Sequence, residues 1–340
     1  MNEQTPRLRH SSDSEPGYSR RRSGRGWAYF DADGKRVTDR DEIDRLNGIG
    51  LPPAYRDAWF CKDGHGHLQA TGIDARGRKQ YRYHEGFRKR QDKSKYADCP
   101  SFGEALPKLR ARVEKDLRRR NLDRDTVVAA VVRLLDTEFI RIGNEEYARS
   151  NKSFGATTLR VHHLRHHGSK LKMRFPGKQG IVREMTISDR NLKRIVGKCQ
   201  DLPGQLLFQY VNGDGEPQPI TSADVNDYIR EATGGEFTAK HFRTWGASVI
   251  FFEQLLDKTD QARLSLQTAL EPVAEALGNT VAISRKSYVH PVLIEALRDR
   301  PRDPLGKFEP PRARRRLSVP ETAFLSFLKK RHRRRPRSAA

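Results

Sequence analysis

The chain has 340 residues, with 35% hydrophobic and 32% charged side chains, enough for a core beneath a heavily ionised surface and too long for one average domain. Lys and Arg number 66 against 43 Asp and Glu, a net charge of +23 that is the electrostatic footprint of a polyanion binder. No apolar run approaches the ~18 residues needed to span a bilayer, no segment reads as a signal peptide, and Cys61, Cys99 and Cys199 are scattered without a CxxC pair, which argues against a disulfide framework or zinc site and for a reducing compartment.

Residues 1–25 are polar, Ser- and Arg-rich and without hydrophobic period, and read as a disordered basic arm. Order is expected from an aromatic strand, Trp27 to Phe30, followed by a turn at Asp31 to Gly34 and a short helix from Asp39 to Leu46, with Asp39 and Glu42 at capping-box spacing. Ala58 to Cys61 resumes as a strand. His67 to Thr71 and Arg78 to His84 flank the turn Ile73 to Gly77 and read as a hairpin. Its second strand sets Tyr81 and Tyr83 on one face among Lys79, Gln80 and Arg82. Such a ribbon suits insertion into a DNA groove, and equally fits an edge strand with its tyrosines packed inward.

Ser101 to Asn121 turns helical and marks the expected joint between a β-rich domain, 26–100, and a helical one, 101–298. Thr126 to Ile140 is a core helix by its apolar side and delivers Arg141 at its end. After Ser153 to Gly155 a helix is expected to about His167. Its histidines 162, 163, 166 and 167 include i, i+4 pairs, but no carboxylate or Cys joins them, and neighbouring arginines would repel a cation. Lys170 to Arg174 pairs with Ile181 to Ile187 around the tip Phe175 to Gly180, which carries Lys178. Helices follow at Ser188 to Lys198, Thr221 to Ala232, Thr238 to Leu256 and Gln261 to Leu277.

Leu277 to Pro291 then reads as a helix end, a Gly break and a short second helix ending in Tyr288, with Val281 and Ile283 as anchors and Arg285 and Lys286 beside the phenol. A free phenol, pKa about 10, is a poor nucleophile until nearby positive charge favours the phenolate. Beyond Leu297 the composition shifts to Arg and Pro: residues 298–340 hold 15 Lys and Arg against 4 Asp and Glu. One helix is allowed there by the capping-box spacing of Ser318 and Glu321, and 299–340 otherwise reads as a flexible polycationic extension.

Several of these segments form an ordered set: Arg141-Ile142-Gly143-Asn144-Glu145-Glu146-Tyr147, Ser153 to Arg160, Phe175-Pro176-Gly177-Lys178, Lys240-His241-Phe242-Arg243-Thr244-Trp245-Gly246, Leu277-Gly278-Asn279-Thr280 and Ser284 to Pro291. From about Trp27 to Leu297 the set resembles the type IB DNA topoisomerases in the compact form of bacteria and poxviruses. The resemblance implies an α+β fold: a small β-rich antiparallel N-terminal domain and a larger, mostly α-helical catalytic domain with a short antiparallel β-hairpin or sheet, as in the tyrosine recombinases. It implies an isomerase that relaxes supercoiled double-stranded DNA as a monomeric C-shaped clamp, with no cofactor and no metal, in the cytoplasm at the nucleoid.

Tyr288 would be the nucleophile, forming a 3′-phosphotyrosyl link and releasing a 5′-hydroxyl. Arg141 and Arg243 would clamp the non-bridging oxygens, Lys178 would protonate the leaving oxygen, and Lys240 would make a secondary phosphate contact or join that relay. Asn279 stands where viral members have histidine; an amide donates a hydrogen bond but not a proton. Gln80, Tyr81, Tyr83 and Tyr147 match DNA-contacting positions, whereas Asn144 and Glu146 replace lysines of the viral members. The physics is coherent: preorganised cations stabilise the charge of in-line phosphoryl transfer, and no GxxxxGK[ST] loop provides for a nucleotide. The rival readings are a tyrosine recombinase, which usually shows His-x-x-Arg where this chain has Lys240-x-x-Arg243, and a non-catalytic basic architectural protein.

Overall fold

The computed structural model describes residues 8–75, 77–167, 170–257 and 264–334. They form two compact units, Met1–Ser94 and Lys95–Ala340. The division falls before the expected joint because Tyr96, Cys99 and Phe102 are buried in the core of the second unit.

In the first unit, β1 (Ser19–Ser23) pairs antiparallel with β2 (Gly26–Phe30), α1 spans Arg40–Gly48, and β3 (Arg56–Phe60), β4 (Leu68–Ile73) and β5 (Lys79–Tyr83) form an antiparallel sheet in that order. Tyr29, Leu46, Leu51, Phe60 and Ala70 make its small core. Asp39 caps α1 by accepting from the Asp41 N–H, but Glu42 pairs with Arg45 instead of closing the expected box. The basic arm is not disordered over residues 8–25. Tyr18 and Phe60 exchange two backbone hydrogen bonds of 2.8 Å, and the Arg20 guanidinium lies 4.1 Å from the Trp27 ring centroid while donating to the Leu51 carbonyl. Arg20 and Arg21 are spent on aromatic faces, and Arg9 on Asp63, uses that composition does not reveal. Residues 1–7, and Arg76 of the expected hairpin turn, lie outside the described residues.

After α2 (Glu85–Ala97), the second unit is built on α3 (Cys99–Leu117) and α4 (Arg124–Glu138). Residues 126–132, 134 and 135 of α4 are all buried, as suits a helix apolar on every side at the centre of a core. The chain continues through α5 (Glu145–Asn151) and two 3-10 turns, Ala156–Thr158 and Val161–His163. Then β6 (Leu164–His167), β7 (Lys170–Pro176) and β8 (Val182–Ile187) form an antiparallel sheet in sequence order. Helix α6 (Arg190–Gln200), the β9–β10 ribbon (Gln209–Val211 with Pro217–Pro219), α7 (Ser222–Thr233), α8 (Ala239–Leu256), α9 (Leu266–Leu277), α10 (Val281–Ser287), α11 (Pro291–Asp299) and α12 (Val319–Arg334) complete it. Residues 261–263, the expected start of α9, lie outside the described residues.

The helix expected to run to His167 is absent: the Thr158 hydroxyl donates to the Gly155 carbonyl and accepts from the Gly155 N–H, which tightens the chain into a 3-10 turn, and residues 164–167 pair with β7. The extension from residue 299 is not simply a flexible tail. Phe308, Leu317, Phe324, Phe327 and Leu328 belong to the main core, and the Ser318–Glu321 capping box forms at the start of α12. Glu321 also accepts from Arg110 on α3 and from the Trp245 indole on α8 (2.7 and 3.1 Å), and Arg110 reaches Asp136 on α4 at 2.8 Å. One carboxylate thus fastens α12 to the helices that carry the site.

Candidate active site

Helix α4 is closed by its C-cap residue Phe139, whose left-handed φ of 50° breaks the helix and whose carbonyl accepts from Arg243. Arg141 follows two residues later. Its carbonyl accepts from the Ala156 N–H at 2.8 Å and that of Ile142 from the Thr157 N–H at 2.7 Å. This seam needs glycine at 155, because a Cβ there would stand 2.5 Å from the Arg141 carbonyl oxygen. So fixed, Arg141 donates from Nη2 to Asn279 Oδ1 at 2.8 Å. Asn279 follows the α9 C-cap glycine, and its backbone N–H donates to Ala274 at 2.9 Å.

Arg243 projects from the buried α8 and is itself buried. Its guanidinium donates to the carbonyls of Phe139 and Leu277, and Cζ lies 4.7 Å from the centroid of the Tyr288 ring. Burial pushes its pKa down to about 10, opposed by the charge that Tyr288 can carry. Tyr288 terminates α10, its N–H bonded to Ser284, and Ser248 on α8 holds the next turn through the Tyr288 carbonyl and the His290 N–H.

Burial would raise the Tyr288 pKa, but the charges of Arg243 and Arg141 and hydrogen bonds to both outweigh it, so the phenol is more acidic than usual. The cations at the phenol are therefore not its neighbours Arg285 and Lys286, which point to solvent. Arg243 Nε and Asn279 Nδ2 are buried donors without a hydrogen-bond partner in the protein. In a site this polar, such N–H groups fit an anionic oxygen supplied from outside.

Tyr288, Arg141, Arg243 and Asn279 thus come together from four separate segments. Lys178 sits on the exposed β7–β8 tip and makes no hydrogen bond or ion pair to another described residue. Lys240 is exposed on the first turn of α8, while Arg243 on the same helix is buried. Tyr147 is 36% exposed on α5, and the Asn144 side chain caps that helix through the Tyr147 N–H. In the first unit, Tyr81 and Tyr83 are exposed and nearly parallel, with centroids 6.2 Å apart, so they do not pack inward. Gln80 donates to Asp74, which also holds Arg78.

The histidines are otherwise engaged: His163 Nδ1 accepts from Arg160 and burial pushes its pKa down to about 4, while His166 bonds Gln200. Among the described residues no three His, Cys, Asp or Glu group as a metal set, and no helix is long and apolar enough to cross a membrane. Arg183, which sequence reasoning passed over, lies among these residues on β8 and adds its charge to that felt by Arg243.

Residues 84–303 match the family described as eukaryotic DNA topoisomerase I, catalytic core, and residues 26–74 match the bacterial DNA topoisomerase IB N-terminal domain. The chain is 31% identical to the DNA topoisomerase 1B of Acanthamoeba polyphaga mimivirus, over 84% of this chain and 88% of that one. It is 20% identical to the DNA topoisomerase 1B of Vaccinia virus (strain Copenhagen), over 80% and 90% of the two. Among solved structures, the XerH site-specific recombinase bound to palindromic difH substrate is similar at 16% identity over 55% of this chain and 49% of that one, with a TM-score of 0.35, too slight a likeness to bear on fold or activity. The chain belongs to the type IB DNA topoisomerases, in their compact form.

Proposed function

We propose that this topoisomerase relaxes supercoiled duplex DNA by a tyrosyl ester exchange centred on Tyr288. The phenol loses its proton to solvent, assisted by the adjacent guanidinium charges, and Oη attacks a backbone phosphorus. The P–O5′ bond breaks, the new bond is a 3′-phosphotyrosyl ester, and the departing 5′-oxygen takes a proton from Lys178. Arg141, Arg243 and Asn279 stabilise the charge on the non-bridging oxygens, the last two through the donors that lack a partner in the protein. Asn279 Oδ1 meanwhile holds Arg141 in place. Reversal restores the strand after rotation of the free end, and because an ester replaces an ester, no nucleotide is consumed.

The observation that carries this reading is the phenol stacked on one arginine and acidified by two. The proposed residues of the chemistry all lie in the Lys95–Ala340 unit, which supports action by a single copy. Tyr81, Tyr83 and Gln80 on the first unit and Tyr147 and Lys240 on the second are the proposed DNA contacts, so a duplex engaged by both units would be held as in a clamp. The test is relaxation of a supercoiled plasmid in EDTA without ATP. Relaxation that persists in Tyr288→Phe, or that requires an added metal or nucleotide, contradicts the reading.

A further inference from the structure

We propose that Arg183 is a positioning residue that holds the Lys178 hairpin in register with the segments bearing Arg141 and Asn279. Arg183 lies on β8 opposite Phe175, one pair inside the hairpin mouth at Pro176 and Val182. Its side chain leaves the hairpin and donates to three main-chain carbonyls, Glu275 at 3.1 Å, Glu138 at 3.0 Å and Ala276 at 2.8 Å. Glu138 is the last residue of α4, three before Arg141, and Glu275 and Ala276 are in the last turn of α9, just ahead of Asn279.

Carbonyls at helix C-termini lack intrahelical partners and carry the negative end of the helix dipole. One planar cation therefore caps two helices at once while its own strand carries Lys178 nearby. The sequence around it is shaped to allow this. Gly278 has a φ of +57°, and a Cβ there would fall 2.7 Å from Arg183 Cδ, so the glycine serves both the helix end and the passage of this side chain.

Loss of the tie should be felt by the hairpin more than by the helices. Leu135 of α4 and Leu277 of α9 are buried in the core, whereas Lys178, Gln179, Gly180, Ile181 and Val182 are all exposed. The opposite strand has its own hydrogen-bonded tie near the tip, Phe154 N–H to the Pro176 carbonyl at 2.8 Å, and Arg183 provides one from β8, above the buried Met185 and Ile187. Without it the ammonium of Lys178 samples a wider arc, while the residues around the phosphate keep their places.

The inference rests on Lys178 as proton donor, and one experiment separates the two. Single-turnover cleavage at a mapped site is measured for the unaltered protein, Lys178→Ala, Arg183→Ala and Arg183→Lys, on duplexes with oxygen or sulfur as the 5′-bridging atom. A thiolate leaves without being protonated, since a thiol is far more acidic than an alcohol. Lys178→Ala should lose roughly 10²-fold on oxygen and little on sulfur. Arg183→Ala should show the same selective loss, roughly tenfold or more on oxygen, with DNA affinity unchanged, and Arg183→Lys should recover part of it. If Lys178→Ala is rescued by sulfur but Arg183→Ala falls equally on both substrates, or on neither, Arg183 does not act through the hairpin. If sulfur fails to rescue Lys178→Ala, the proton-donor reading falls and this inference with it. Should Arg183→Ala not fold, Arg183→Lys carries the same comparison.

Discussion

The guanidinium carbon of Arg243 lies 4.7 Å from the ring centroid of Tyr288, although 45 positions separate the two residues in sequence. A buried cation against a partly buried phenol has a direct consequence, since each favours the charged form of the other while burial opposes both. The phenol gains: its acidity rises above that of a free tyrosine.

The pH dependence follows in sign. A nucleophile that must lose a proton is more active as pH rises, and a lowered pKa brings that rise below about pH 10. Single-turnover cleavage should climb with pH and level off on the acidic side of a free phenol. Arg243→Gln, which removes the charge but keeps a donor, should move the climb to higher pH. A profile that stays in place would show that Arg243 does not set the phenol's acidity.

Asn279 has two faces, an oxygen that orients Arg141 and a buried Nδ2 left for an outside acceptor. Asn279→Ala removes both and should slow cleavage by roughly 10²-fold, as for loss of one preorganised donor. Asn279→Asp keeps the Arg141 contact but adds a negative charge facing the phosphate, and should be slower still. Single-turnover rates check the order; an aspartate variant faster than the alanine variant contradicts the assigned geometry.

His290 caps α11 through Nδ1, and burial pushes its pKa down to about 4. Above pH ~6.5 it is neutral whether the chain is folded or not; below that, the unfolded chain binds a proton that the folded one refuses. Stability should therefore fall as pH drops from 6.5 towards 4, by roughly 3 kcal/mol at most from this residue. His290→Asn retains a capping side chain and should flatten that part of the melting-temperature profile. An unchanged slope would remove His290 as its source.

Glu321 is buried among Arg110 and Trp245, and Arg110 holds its carboxyl below the usual range against the opposing effect of burial. Deleting Glu321 leaves Arg110 paired with Asp136 but strips the Trp245 indole and one side of the Arg110 fork of their acceptor, at a cost of about 1–3 kcal/mol. Glu321→Ala should show that loss in urea unfolding. A change below about 1 kcal/mol would mean that α12 is merely apposed to the second unit's core.

Tyr81 and Tyr83 expose their rings from β5 and contribute nothing to the first unit's core cluster. Tyr81→Ala should leave the melting temperature unchanged and weaken duplex binding by about 1 kcal/mol, the lower end of what a direct base contact contributes. Binding that is unaltered at several salt concentrations would return β5 to the status of an ordinary edge strand.

Much of this was legible in the chain. The apolar face of α4, the Ser318–Glu321 box and the turn chemistry of the two hairpins are local signals, and the corresponding elements form. What was not legible depends on partners far away in sequence. Arg285 and Lys286 look like the phenol's cations because they adjoin it, yet both are exposed, and the charges that act on the ring are those of Arg243 and Arg141. Arg183 reads as one more charge on an alternating strand because its partners are backbone carbonyls, which carry no side-chain signature. Residues 8–25 read as disordered, and the segment after 299 as largely flexible, because their charge hides the few aromatics and carboxylates that tie them down.

The central claim is that Tyr288 becomes covalently joined to DNA. A duplex nicked just downstream of the cleavage site, so that the leaving fragment diffuses away, should trap a protein–DNA adduct for peptide mapping by mass spectrometry. The account predicts one modified residue, Tyr288, esterified to the 3′-phosphate of the upstream strand, with a free 5′-hydroxyl on the released fragment. An adduct on any other residue, a link to a 5′-phosphate, or plasmid relaxation without an adduct would contradict it.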